Sequence, residues 1–243
     1  MRAAVIVDGE LRVEERPDPT PGPTQALVRV RATGVNNADL MQVRGHYPPP
    51  PGVPEDIPGL ELAGERVDTG ERVLALVAGG AHAELAVVEE RHLLPLPDGI
   101  DWEPAGGFVE VFATAHDALF TQAGLVAGER VLVNGGAGGV GVAGIQLARE
   151  AGAAVVATVR NEALRSRVAE LGAEVYPPGE AEGPFDVILE LVGGDNLAHN
   201  LELLATGGRV VVPVEAAFPL ADAPAAYERF AAGGKLGKIV LTA

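Results

Sequence analysis

The sequence predicts an α/β protein with a β-rich first half followed by a doubly wound parallel sheet. Three observations lead there. The opening hundred or so residues carry short Val/Leu-rich runs ("AAVIV", "LRVEE", "ALVRVRA", "GERVLALV", "AELAVVE") separated by Gly, Pro and Asp turns. From Arg130 onward, near-continuous apolar strands alternate with helical segments, as in a parallel sheet covered on both faces. Finally, "RVLVNGGAGGVG" sets Gly136, Gly138 and Gly141 at G-x-G-x-x-G spacing, directly after a strand and opening a helix. Right-handed crossovers then wind the sheet doubly.

The elements follow in order. "HYPPPPGVPEDIPG" is an extended loop, because proline fixes φ and lacks a donor. "EPAGGFVEVFATAHDALF" has helical spacing, with Pro104 suited to a first turn. "RVLVN" is a strand, and "GVAGIQLAREA" a helix with Val142, Ile145, Leu147 and Ala148 on its apolar side. "AVVATV" is a strand, and "EALRSRVAELG" a helix stopped by Gly172. "EVY" and "FDVILELV" are strands, "DNLAHNLELLA" a helix and "GRVVVPV" a strand. After Val214 the alternation stops, and the rest reads as a loop, one helix and a final strand.

Composition narrows the function. The 243 residues are 47% hydrophobic, enough for one large or two smaller cores. A net charge of -16 disfavours nucleic acid and anionic membrane as partners. With no cysteine, disulfides and thiolate metal sites are excluded. "MRAAVIVDGE" lacks a signal peptide's apolar core and no run reaches membrane-spanning length, so a cytoplasmic location is expected.

In the glycine loop the first glycine permits the tight turn, the second a close approach to a pyrophosphate, and the third helix–strand packing. The N–H groups of the turn, with Gly139 and Val140, then face an anion at the positive end of the helix dipole. A plain strand–helix turn would need fewer glycines. At the end of the next strand an NAD site wants a carboxylate. Here stand Thr158, Val159, Arg160 and Asn161, with no acid until Glu162. Arg160 suits bidentate pairing with a 2′-phosphate, and Asn161 or Arg165 can add hydrogen bonds, so NADPH is the expected cofactor. The alternative is that Arg160 is a solvated residue starting a helix.

Longer segments carry a family resemblance: "VRATGVNNADLMQVRGHYP", "IPGLELAGE", "GGAHAELAVV", "LLPLPDGIDWEPAG", "TAHDAL", "QLAREAGAAVVATV" and "FPLADAPAAYERFAAGGKLGKIVL". Together with the glycine loop they resemble the zinc-independent quinone oxidoreductases of the medium-chain dehydrogenase/reductase superfamily, along nearly the whole chain. The resemblance implies a GroES-like catalytic domain, 1–109, completed by 215–243, and a Rossmann dinucleotide domain, 110–214, with the active site at their junction. Zinc-dependent relatives have cysteine and histidine ligands at the positions matching Asn36 and Leu60, neither of which serves zinc. His46, His82, His92, His116 and His199 are scattered without ligand spacing, so no metal site is expected.

The implied chemistry is metal-free hydride transfer from NADPH to a quinone or an α,β-unsaturated carbonyl. Asn36, Asp39 and Tyr47 lie in the segment resembling the family's catalytic pocket; Asn36 and Tyr47 can donate to the oxygen that gains charge, whereas an ionised Asp39 can only orient neighbours. Each has a structural alternative, as a turn former or a packing residue. Thr114, Val192, Gly193, Val212 and Pro213 are implied contacts of the cofactor, with an ordinary helical threonine the alternative for Thr114 and a plain helix-entry turn for Gly193. Glu61, between Leu60 and Leu62, reads as a paired carboxylate serving the fold.

Two departures stand out. Glu110 and Val111 fall where relatives are apolar or small. Phe218 follows Val214 almost at once where relatives insert another strand, leaving five parallel strands with the sixth missing. A monomer, or a dimer that avoids the usual sheet-edge interface, is therefore expected, with a more exposed nicotinamide. An enoyl-thioester reductase and a non-catalytic NADPH-binding protein remain alternatives. A short-chain dehydrogenase is disfavoured by the long segment before the glycine loop and the absence of Tyr-x-x-x-Lys.

Overall fold

The computed structural model describes residues 1–194 and 196–212, and beyond them the backbone of two strands, Val214–Pro219 and Lys238–Thr242. The chain divides into two units at Glu110/Val111.

In the first unit, β1 (Arg2–Val7) and β2 (Glu10–Glu15) form a hairpin. Its turn holds Asp8 and Gly9 at positive φ, which glycine adopts without a Cβ penalty. β3 (Gln25–Ala32), α1 (Asn37–Val43), β4 (Glu61–Arg66), β5 (Arg72–Leu76), β6 (Leu85–Glu89) and β7 (Leu93–Pro95) follow. The five longer-range strands make an antiparallel sheet in the order β6-β3-β4-β5-β7. Alternate residues of these strands, among them Val28, Leu62, Val73, Ala75 and Val88, face one core. The short helix α2 (Trp102–Gly106) packs Ala105 with Ala63 and Leu74 on the other side. Gly106 has no room for a side chain, since a Cβ would meet Ala32 and Thr33 within 2.8 Å.

α3 (Val109–His116) runs across the division and continues as a wider turn to Gln122. The second unit then reads β8 (Arg130–Asn134), α4 (Gly139–Glu150), β9 (Ala154–Thr158), α5 (Glu162–Ala169), β10 (Glu174–Tyr176), β11 (Phe185–Glu190), α6 (Asn196–Leu203) and β12 (Leu204–Val211). All five strands are parallel, in the order β10-β9-β8-β11-β12. The order reverses between β8 and β11, so the crevice outside their C-terminal ends is where such sheets bind ligands. Val131, Val133, Ile145, Ala148, Val187 and Leu189 form the core under α4. Leu132, Val156, Phe185 and Ile188 form a second core on the opposite face. Each fully buried side chain of this size is worth about 1.5–3 kcal/mol. The N-terminal end of the sheet is pinned by Arg130. Its N–H donates to Asp186 Oδ2 at 2.8 Å and its Nη1 to the carbonyls of Glu182 and Pro184, while the guanidinium lies 4.3 Å from the Phe185 ring centroid.

The five-stranded parallel sheet and its helices match the sequence expectation. The residues after Val214, read there as loop, instead continue β13 (Val214–Pro219), paired in parallel with β14 (Lys238–Thr242). That pairing is non-local, and six residues containing Glu215 and Pro219 show no strand alternation. The expected helix between them, and most of the stretch expected to complete the first domain, lie outside the described residues. Among the described residues no helix is long and apolar enough to cross a membrane.

Candidate functional site

The glycine loop leaves β8 at Asn134 and enters α4 at Gly139. The tight turn belongs to Gly135, at φ +82°, which the motif spacing did not single out. Gly136 instead lies against β9; a Cβ there would stand 2.9 Å from Ala157 Cβ, and its N–H donates to Thr158 O at 3.0 Å. Gly138 is the N-cap, extended and with no side-chain cap, so the first-turn N–H groups at Gly139, Val140 and Gly141 meet no capping side chain. A Cβ on Gly138 would touch only Gly135 O, at 3.4 Å, so the glycine keeps the approach to this helix end open. Gly141 packs α4 onto the loop, with Gly135 O and Gly136 Cα inside 3 Å of where a Cβ would be.

A cleft of about 510 Å³ opens over these strand ends. Gly138, Arg160, Asn161 and Val192 all line it, four of the residues singled out from the sequence. Arg160 is exposed at the end of β9. Asn161 caps α5, its Oδ1 accepting from Ala163 N at 3.1 Å, which leaves its amide N–H groups. Arg165 is turned toward its own strand end, with Nε donating to Val159 O at 3.0 Å. The turn after β11 passes through Gly193 and Gly194, both at positive φ. Thr114 is half-buried in α3, Val212 follows β12, and Pro213 lies outside the described residues.

Sequence reasoning missed what lies beneath the cleft. Glu190, the last residue of β11, is buried and meets Asn134, Asn200 and the backbone of Val192 and Gly193. Burial pushes its carboxyl up, but these donors outweigh that and hold it below the ordinary carboxylate range. The signal was available: Asn134, Thr158, Glu190 and Asn200 are polar residues closing or interrupting apolar runs.

The pocket segment of the first unit forms its own network. Asp39, 3% exposed, accepts from Asn36 N at 2.7 Å and from Gly59 N at 2.9 Å, one limb of a capping box on α1. Asn36 Nδ2 donates to Glu61 Oε1 at 2.9 Å, and Glu61 Oε2 accepts from Glu110 N at 3.0 Å. Glu61 is thus buried and paired, as expected. His82 Nε2 lies 3.0 Å from Gly34 O and 3.8 Å from Asp39 Oδ2. Tyr47 is half-buried after α1. Among the described residues no three His, Cys, Asp or Glu side chains gather as metal ligands would.

Comparison with known proteins bears on both units. Residues 22–98 match the alcohol dehydrogenase GroES-like domain, and residues 139–213 match the zinc-binding dehydrogenase family. The quinone oxidoreductase of Mus musculus is 34% identical over 218 residues, which cover 80% of this chain and 66% of that protein. The chain spans just under two thirds of the length of such curated relatives, 66% and 65% of the mouse and rat proteins. The polyketide synthase GfsB of Streptomyces halstedii is 36% identical over 210 residues, 77% of this chain and 4% of that one. Among solved structures, the quinone oxidoreductase of Thermus thermophilus, also solved in complex with NADPH, superposes with a TM-score of 0.79 at 30% identity, covering 100% of both chains.

Proposed function

We propose, since the chain belongs to the quinone oxidoreductase family of the medium-chain dehydrogenase/reductase superfamily, that it is an NADPH-dependent, zinc-independent reductase of quinones or α,β-unsaturated carbonyls. One observation carries this reading: the uncapped N-terminus of α4 and the exposed guanidinium of Arg160 line the same cleft. The fit is chemical. A pyrophosphate takes the first-turn N–H groups beside Gly138, and a 2′-phosphate takes Arg160. Asn161 adds amide donors, and Arg165 adds charge behind the strand end. Gly136, Gly139, Val140 and Gly141 shape the loop, and Val192 and Gly193 form a wall. Thr114, Val212 and Pro213 are assigned to the nicotinamide end.

When bound, the cofactor supplies the hydride. The chain's own residues bind it and stabilise the oxygen that gains negative charge. Asn36 has a second amide hydrogen beyond the one given to Glu61, and Tyr47 has a phenol; these are the donors. Asp39 does not reach substrate in this scheme, because both its oxygens hold backbone N–H groups; it fixes the entry to α1 and hence Asn36. Zinc independence is supported by Asn36 and Leu60 at the ligand positions. The proposed assembly is a monomer, or a dimer that does not pair sheet edges.

The test is NADPH oxidation followed by nicotinamide absorbance with a panel of quinones and enones. Arg160→Ala is expected to weaken NADPH about 10- to 100-fold more than NADH, the loss of a charge-assisted pair. Equal weakening of the two cofactors counts against the assignment. A second reading, an enoyl-thioester reductase, is favoured by the polyketide synthase likeness. It predicts enoyl thioesters turning over faster than any quinone in the same assay.

A further inference from the structure

The C-terminal ends of β8, β9 and β11 and the turn after β11 wall the cleft, and one carboxylate joins them. Glu190 Oε1 accepts N–H bonds from Val192 and Gly193, each 2.7 Å long. Oε2 accepts from Asn134 Nδ2 and Asn200 Nδ2, each at 2.8 Å. Asn134 passes the connection on: its Oδ1 accepts from Thr158 Oγ1 at 2.7 Å, and its Nδ2 also reaches Asn200 Oδ1 at 2.9 Å. Asn134 immediately precedes Gly135, and Thr158 stands two residues before Arg160. Glu190, Asn134, Thr158 and Asn200 are all buried.

Sheet cohesion does not require this arrangement. Val187, Ile188 and Leu189 bury apolar side chains in the same strand at no desolvation cost, whereas a buried carboxylate needs all its donors. What the carboxylate adds is order in the turn that follows. Gly193 and Gly194 are exposed, both have positive φ, and no atom lies within 4 Å of where a Cβ would sit on either. The turn has little packing of its own, and the two N–H bonds to Glu190 hold it.

We infer that Glu190 is a positioning residue for the dinucleotide cleft, tying the Val192–Gly193 turn to the strand ends that carry the glycine loop and Arg160. The inference rests on the cofactor reading above. A network of this kind sets the spacing of three walls through one charge, so a neutral replacement loosens all three together.

Glu190→Gln tests it. The new amide keeps an oxygen for Val192 and Gly193, but turns N–H donors against Asn134 Nδ2 and Asn200 Nδ2. Adding Asn200→Asp moves the carboxylate across the network and restores a donor–acceptor pair at position 200, while Asn134 Nδ2 still faces the new amide. Three measurements apply: melting, amide exchange at Val192 and Gly193 without nucleotide, and NADPH titration. Glu190→Gln is expected to melt cooperatively, to exchange at least about tenfold faster at both amides, and to bind NADPH about tenfold more weakly, the equivalent of one charge-assisted hydrogen bond. The double variant is expected to recover part of the NADPH affinity lost by the single. Unchanged affinity in Glu190→Gln, or a double variant no better than the single, overturns the inference. If Glu190→Gln does not fold, Thr158→Val removes only the outermost hydroxyl. It is expected to cost about threefold in NADPH affinity, and no change overturns the inference. A wild-type protein that binds neither NADPH nor NADH overturns the cofactor reading before any variant is made. The exchange measurement, made without nucleotide, still decides whether Glu190 holds the turn.

Discussion

Replacing Gly141 with alanine puts a methyl group where backbone already stands. The new carbon falls 2.4 Å from Gly135 O, 2.8 Å from Gly136 Cα and 3.0 Å from Gly136 C. Carbon atoms rest about 3.5–4.0 Å from their neighbours, so the shortfall is about 1 Å against atoms that cannot rotate aside. The first turn of α4 must lift off the loop. Overpacking of this kind costs about 3 kcal/mol, the upper end of its usual range. Alanine's better helix propensity returns about 1 kcal/mol. The net loss of about 2 kcal/mol corresponds to a fall in Tm of about 4–8 °C for a chain of this size. Because the displaced N–H groups are the proposed pyrophosphate donors, NADPH affinity falls too, by at least about tenfold. Gly138→Ala is the control. Its added carbon meets only Gly135 O, at 3.4 Å, and its φ of -77° suits alanine. It should keep Tm within about 2 °C while weakening NADPH, since its methyl group enters the cleft. Thermal unfolding and titration calorimetry on both variants decide the matter. A Gly141→Ala protein as stable as wild type, or a Gly138→Ala protein that is the less stable of the two, refutes the packing argument.

Other expectations follow from the same structure. Phe185→Ala, at a fully buried site beneath the Arg130 guanidinium, should cost about 3–5 kcal/mol in urea unfolding. Gly34→Ala would set its methyl 2.1 Å from Glu61 Oε1 and must break the Asn36–Glu61 contact; turnover should fall while NADPH affinity stays within about twofold. The Arg209 guanidinium bonds Glu129 at 2.7 and 2.9 Å and, as the leading cause, holds its carboxyl below the ordinary range. A carboxyl depressed by folding stabilises above its unfolded pKa, about 4.3, and loses that contribution as pH falls through the folded value. Stability should therefore drop below about pH 4.3, and Glu129→Gln should flatten that limb of a Tm-against-pH curve. An unaltered curve would remove the pair from the account.

The second unit was legible because its strands are uninterrupted apolar runs and its first helix opens on glycines whose spacing has a mechanical reason. The first unit was harder to read. β4, "ELAGER", went unread because Glu61 and Gly64 break any alternation. Both are there for partners remote in sequence: Glu61 for Asn36 and Glu110, and Gly64 because a Cβ would lie 2.3 Å from Arg29 O on the adjacent strand. α1 escaped notice because Asn36 and Asp39, weighed as turn formers, join through the Asp39 carboxylate to cap a seven-residue helix. In the cleft the glycines and Arg160 were visible from spacing alone. Glu190 left only a weaker mark, a polar residue closing an apolar run, which gains meaning once the fold brings Asn134 and Asn200 beside it.

The parallel sheet ends differently on its two sides. At one end Arg130 clamps Asp186 and two carbonyls over the Phe185 ring; at the other, Glu190 and its amides frame the cleft. The two ends of one sheet therefore serve different purposes, stability at Arg130 and the shape of the cleft at Glu190. Substitutions around Arg130, at the end of the sheet away from the cleft, are expected to move stability more than nucleotide binding. Substitutions around Glu190 reach the cleft directly, which makes that end the poorer place to begin engineering a sturdier variant.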